Sequence, residues 1–154
     1  MEQVAYSQDI DALLVACDLP IDDLRDNNNV CFFGLRHESG LMGVIGIEVC
    51  GDFGLLRSFA ISAANRGNGL GQKLVAFSEE WATRSNIKAL YLLTTTADTF
   101  FERLGYEELS RSEAPRNIAE TSQFAGLCPD SSTFMCKALG SNHALHRTSR
   151  RARR

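Results

Sequence analysis

The segment Arg66-Gly67-Asn68-Gly69-Leu70-Gly71 narrows the fold more than any other. Its glycines alternate between an apolar run, Leu55–Ser62, and a run in which Leu70, Leu74, Phe77 and Trp81 repeat at helical spacing. Lys73, Glu79, Glu80 and Arg84 lie off that stripe. A strand passing through a glycine turn into a helix, followed by the continuous apolar strand Ala89–Thr95, predicts a βαβ unit with a buried parallel pair. Amides without side chains at a helix N-terminus also suit an anion, and a phosphate above all. Two familiar phosphate loops are excluded by spacing. The G-x-G-x-x-G turn would need its third glycine one residue later, and the Gly-Lys-Ser/Thr loop is broken by Gln72.

The remaining chain predicts a mixed α/β fold with an antiparallel meander before the βαβ unit. Val30–Arg36 and Leu41–Cys50 read as strands joined by a turn at His37-Glu38-Ser39-Gly40, with a short strand end at Val4–Tyr6. Helices are expected over Asp9–Cys17, after Pro20, around Phe100–Leu104 before Gly105, and near Arg116–Phe124. Tyr106–Arg111 and Thr133–Leu139 read as closing strands.

Charge divides the chain in two. Residues 140–154 hold five arginines and no acid, whereas residues 1–139 hold 11 basic against 19 acidic side chains, a net of −8. We therefore expect one domain over 1–139 and a basic tail over 140–154. An acidic domain is a poor match to nucleic acid, which leaves the tail as the sole candidate for that contact. No apolar run is long enough to span a bilayer, and the N-terminus lacks a signal-peptide profile, so a cytoplasmic protein is expected. The five cysteines include no C-x-x-C pair, which favours free thiols, and no Cys/His set has metal-ligand spacing, so no metal is expected.

The pattern R-x-x-G-x-G at Arg66–Gly71 resembles that of the GCN5-related N-acetyltransferases (GNAT). FAISAANRGNGLGQKLVAFSEEWA is similar to their strand, loop and helix, and ALYLLTTTADTFFERLGYEEL to the strand and short helix that follow. RSEAPRNIAETSQFAGLCPDSSTFM resembles the subgroup encoded beside bacterial arsenic-resistance genes. The resemblance implies a sheet with helices on both faces and two splayed parallel strands that hold acetyl-CoA. The backbones of Phe59, Ala60 and Ile61 would pair with pantetheine. The amides of Gly67, Asn68, Gly69, Leu70 and Gly71 would hold the pyrophosphate, with charge from Arg66 and a helix cap from Gln72. Family members can dimerise, so a homodimer is an expectation without an interface signal in this sequence.

The implied chemistry is attack of an un-ionised amine on a thioester, which needs a base and a proton for the departing thiolate. Phe101 stands where many members carry the tyrosine that protonates sulfur, and Leu55 and Arg57 where a carboxylate is common. Glu48 is then the candidate base, and Thr94, Thr95 or Tyr106 the candidate hydroxyl. Arg57, Arg111 and Arg116 are candidates to bind an acidic group on the acceptor, since guanidinium pairs with oxyanions through two donors. This would suit a small amino-acid-like amine, including an arsenical or phosphinic one. A peptide acceptor, and a CoA-binding module without catalysis, are the alternatives. Cys128 is a weaker candidate nucleophile or arsenic ligand.

Overall fold

Alternating burial along the strands places one sheet between two helical layers. The computed structural model describes residues 1–24, 27–38, 40–127 and 131–140. In chain order these form β1 (Glu2–Val4), α1 (Gln8–Ala16), β2 (Val30–His37), β3 (Gly40–Cys50), β4 (Phe53–Ile61), α2 (Leu70–Arg84), β5 (Ala89–Thr94), α3 (Asp98–Arg103), β6 (Glu107–Leu109), α4 (Arg116–Ala119) and β7 (Thr133–Ala138). The seven strands make one sheet in the order β1-β2-β3-β4-β5-β7-β6. Only β4 and β5 run parallel; every other neighbouring pair is antiparallel. The mixed α/β architecture is the one the sequence predicts.

Residue parity decides which layer each strand residue meets. Phe33, Ile45, Ile47, Leu56, Leu90 and Leu92 face one layer, where Leu70, Leu74 and Val75 of α2 and Phe101 of α3 cover them. On the opposite face Phe32, Val44 and Ala60 meet Ile10 and Leu14 of α1. Further along that face Leu55, Tyr91 and Phe134 meet Ile118 of α4. The α2 stripe is centred on Leu74 and Val75, and Phe77 and Trp81 lie at its margin against the Phe33 ring.

Two predicted helices differ. After Pro20 the described chain makes only a turn over 22–24, closed by the Leu24 amide on the Ile21 carbonyl. There Asp23 turns toward the sheet rather than along a helix. The helix expected over Arg116–Phe124 ends at Ala119, and a π-helical turn spans Gln123–Leu127. The Thr121 hydroxyl donates to the Ile118 carbonyl at 2.8 Å and accepts the Phe124 amide at 3.3 Å, so a side chain competes with the helical ladder. The strand expected over Tyr106–Arg111 is likewise shorter, because Ser110 and Glu113 close a capping box around a 3-10 turn. Among the described residues no helix is long and apolar enough to cross a membrane. Cys128 and residues 141–154 of the basic tail lie outside the described residues.

A half-buried polar cluster ties α2 to the far sheet edge. The Tyr106 hydroxyl donates to Glu79 at 2.8 Å, and Lys137 donates to the same carboxylate at 3.1 Å and to the Leu104 carbonyl at 2.8 Å. Burial and the neighbouring Glu79 carboxylate push the Tyr106 hydroxyl well above its ordinary pKa. Replacing Tyr106 by Phe is expected to lower stability by about 1–2 kcal/mol in urea unfolding, because the half-buried Glu79 carboxylate loses a donor. An unchanged midpoint would contradict that.

Candidate functional site

The parallel strands β4 and β5 pair for only four residues, from Phe53–Ala89 to Leu56–Leu92. Both continue beyond that point, β4 to Ile61 and β5 to Thr94, without pairing to each other. On its other side β4 remains paired with β3, but the register slips: Gly46 opposes Arg57 whereas Val44 opposes Ala60. The extra residue is a β-bulge at Ser58, which takes a left-handed φ of 56°. A non-glycine residue there costs about 1–3 kcal/mol, a strain characteristic of functional sites. The bulge turns β4 away from β5 and leaves the edge over 57–61 without a strand partner among the described residues.

At one end of this opening lies the glycine turn. Gly67 and Gly69 have φ of 84° and 79°, and an added Cβ on either would meet nothing within 4 Å. A Cβ on Gly71 would instead stand 3.1 Å from the Phe59 ring, so that glycine keeps the helix close to the strand. Gly69 begins α2, whose first turn has no side-chain cap and no acid. The first amides of a 15-residue helix are thus left to the groove, with the positive end of its dipole. Gln72, expected as a cap, lines this groove beside Arg66 and Phe100 and forms no cap bond. Arg66 donates to the Ile61 carbonyl at 3.0 Å and to the Cys17 sulfur at 3.4 Å, holding the turn against the end of α1.

The opening itself is a cavity of about 580 Å³. Phe59, Leu92 and Phe101 line it toward the α2 layer, and Asp18, Pro20, Arg57, Gln123 and Ser132 line it toward the α1 and α4 layer. Phe59 stacks against Phe100 and meets Phe101 edge-on, so these rings stand between this cavity and the glycine groove, which Phe100 lines. Phe101 is buried and supplies no donor. Thr94 and Thr95 line the wall, and the Thr94 oxygen accepts the Ala97 amide at 2.9 Å. The Tyr106 hydroxyl, engaged by Glu79, is not part of the lining.

The three arginines do not converge. Arg57 reaches the cavity with its guanidinium already forked onto Asp23, at 2.7 and 2.8 Å, and bonded to Glu48 at 3.1 Å. Burial opposes its charge, but Asp23 and Glu48 outweigh burial and raise its pKa. Glu48 lies behind Arg57 and is not in the cavity wall, which moves it away from direct contact with an acceptor. Arg111 stacks over Phe124 and donates to the Ser132 carbonyl at 3.2 Å. Arg116 is exposed on α4, next to Asn117, which bonds the Cys50 carbonyl at the end of β3.

Sequence reasoning missed Asp23, Ser58, Gln123, Ser132 and Asp18. Arg57 carried a usable signal, since an arginine on a core-facing strand position must find a carboxylate, but nothing in the residues singled out Asp23 as that partner. The Arg57 hydrogen bonds hold the Asp23 carboxyl below the usual range, against the opposing effect of burial. A depressed folded pKa stabilises the fold above the unfolded value, near pH 4, and that contribution is lost as pH falls through the folded value. Asp23→Asn is expected to cost about 3 kcal/mol at pH 7 and to flatten the stability loss below pH 4. Urea titrations from pH 2.5 to 7 check both, and an unaltered acid limb would contradict the pairing.

The comparisons with known proteins agree with this geometry. No curated protein matches the sequence. Among solved structures the chain is similar to N-acetylglutamate synthase from Neisseria gonorrhoeae, complexed with coenzyme A and N-acetyl-glutamate (22% identity, TM-score 0.72, covering 88% of this chain and 34% of that one). It spans about a third of that enzyme's length. A GNAT-family acetyltransferase from Staphylococcus aureus matches with 17% identity and TM-score 0.71, over 90% of this chain and 98% of that one. A Klebsiella pneumoniae protein assigned as an acyl-CoA N-acyltransferase matches with 26% identity and TM-score 0.69, over 89% and 94%. The acetyltransferase (GNAT) domain family matches residues 28–108, more than half of the sequence and the span holding the bulge, the splay and the glycine turn, so the chain belongs to the GNAT acetyltransferase family.

Proposed function

We propose that this chain transfers the acetyl group of acetyl-CoA to the primary amine of a small, amino-acid-like molecule. A GNAT acetyltransferase takes acetyl-CoA as its co-substrate. The observation that carries the choice of acceptor is the cavity of about 580 Å³ that passes between β4 and β5, walled toward α1 by Asp18 and Pro20 and toward α4 by Gln123 and Ser132. Space of that size fits a small amine next to a thioester.

The residues present fit CoA. The unpaired β4 edge at Phe59, Ala60 and Ile61 offers backbone groups to an extended, amide-bearing chain, as an added strand would. The amides of Gly67, Asn68, Gly69, Leu70, Gly71 and Gln72 hold the pyrophosphate, with Arg66 supplying charge beside them. The bound thioester supplies an activated acyl carbon. A β4 amide freed by the bulge stabilises the developing oxyanion, worth roughly 3 kcal/mol for one donor. The Thr94 oxygen accepts the Ala97 amide, which leaves its own proton free to be donated, and on the cavity wall it is the hydroxyl we assign to meet the leaving sulfur. Asp18 is the carboxylate on the wall and takes the amine proton directly or through water, while Glu48 orients Arg57.

The likeness of residues 111–135 to the arsenic-resistance subgroup extends the proposal to amino acids carrying an arsenic- or phosphorus-centred acid. With the Arg57 fork engaged and Arg111 stacked on Phe124 behind the Ser132 carbonyl, recognition of that acid falls to the polar groups of the cavity wall beside Gln123 and Ser132. The test is acetyl-CoA-dependent thiol release with arsinothricin, phosphinothricin, common amino acids, polyamines and a lysine-rich peptide. Turnover of the amino-acid group is expected; turnover of the peptide alone would overturn the choice of acceptor. Gly69→Val is expected to raise the KM for acetyl-CoA at least tenfold, because it strains a φ of 79° and puts methyl groups into the open groove. An unchanged KM would remove the glycine turn from the cofactor site.

A further inference from the structure

Ser132 immediately precedes β7 and lines the acceptor side of the cavity. It is 7% exposed, and its Oγ is the buried side-chain oxygen or nitrogen that has no hydrogen-bond partner among the described residues. Its backbone is fixed independently, because Arg111 donates to the Ser132 carbonyl at 3.2 Å and the next residue, Thr133, pairs with Thr94. A buried hydroxyl without a partner is destabilising, and in native proteins such groups are rare. Nothing in the packing requires oxygen at this position, since an alanine would fill nearly the same space. Across the cavity the Ser58 oxygen accepts the Arg57 Nε at 3.3 Å, which directs the Ser58 hydroxyl proton away from the guanidinium. Two hydroxyls with unused donor capacity therefore border the space beside the bulge.

We propose that Ser132 is a specificity-determining contact for the acceptor, donating to an oxygen that the acceptor carries besides its amine. The inference rests on the acetyltransferase reading above and narrows its substrate class. Amines bearing a carboxylate, amide, hydroxyl, phosphinate or arsinate oxygen qualify, and purely hydrocarbon amines do not. A site built around a hydrogen bond rejects an analogue lacking it, because its own polar group is left unpaired.

Thiol release is measured for matched amines: L-alanine against ethylamine, L-threonine against L-valine, and phosphinothricin against L-norleucine. The wild-type protein is expected to favour L-alanine over ethylamine, or the member with the additional side-chain oxygen in one of the other two pairs. Ser132→Ala should reduce that preference about tenfold, the upper range for one buried hydrogen bond, with the KM for acetyl-CoA unchanged. A preference equal in wild type and variant would overturn the role of Ser132 and leave the acetyltransferase reading intact. No turnover of any amine by the wild type would overturn that reading, and this inference with it. Thermal unfolding without ligand separates recognition from a structural role. Ser132→Ala should match or exceed the wild-type Tm, whereas a fall of several degrees would show that the oxygen is bonded within the fold and overturn the inference.

Discussion

The early end of the β4–β5 pairing, at Leu56 and Leu92, is the constraint from which the rest of the site follows. Parallel strands normally continue until one of them turns, because an unpaired edge inside a protein leaves amides and carbonyls without partners. Here β4 keeps its pairing with β3 but takes in one extra residue at Ser58, and the added twist carries its C-terminal half away from β5. The result is a slot through the sheet, open toward α2 on one face and toward α1 and α4 on the other. The glycine turn begins a few residues after the slot ends, so a helix N-terminus without a side-chain cap and an unpaired strand edge stand in line.

On the face toward α1 and α4 the slot is bordered by an ion cluster rather than by apolar packing. Arg57, with a fully buried side chain, holds Asp23 from the loop after α1 and Glu48 from β3. Such a cluster is weak evidence for stability, because burying the charges cancels much of their attraction. Its geometric effect is clear: it fixes the α1–β2 connection against β4 beside the bulge. It also has two carboxylates for one guanidinium, so Arg57 is a poor clamp for an additional acid. An ammonium entering this face meets the better electrostatic match.

Much of this was legible in the residues. The glycine turn, the helix after it and the apolar strand expected over Ala89–Thr95 announced the βαβ unit, since a 3.6-residue stripe and a continuous apolar run each have one simple solution. The meander was equally plain from Val30 to Cys50. The bulge was not, because Ser58 differs from its neighbours in backbone angle rather than in side-chain chemistry. Nor was the engagement of Arg57 seen, since Asp23 is 34 residues away in sequence and only the fold brings it near. The helix expected after Pro20 and the long helix from Arg116 failed for local reasons, where Asp23 and Thr121 found better partners than a helical backbone offers. Ser132 carried no signal, as one hydroxyl in a loop is unremarkable until its burial is known.

Hydrogen exchange with and without acetyl-CoA tests the central claim most directly, because it reads the unpaired edge itself. Protection should rise in residues 57–61 and 67–72 when acetyl-CoA is added, with little change in Phe53–Leu56, whose edge β5 already covers. Protection confined to other segments, or none at saturating acetyl-CoA, would contradict a slot formed by the bulge and the splay.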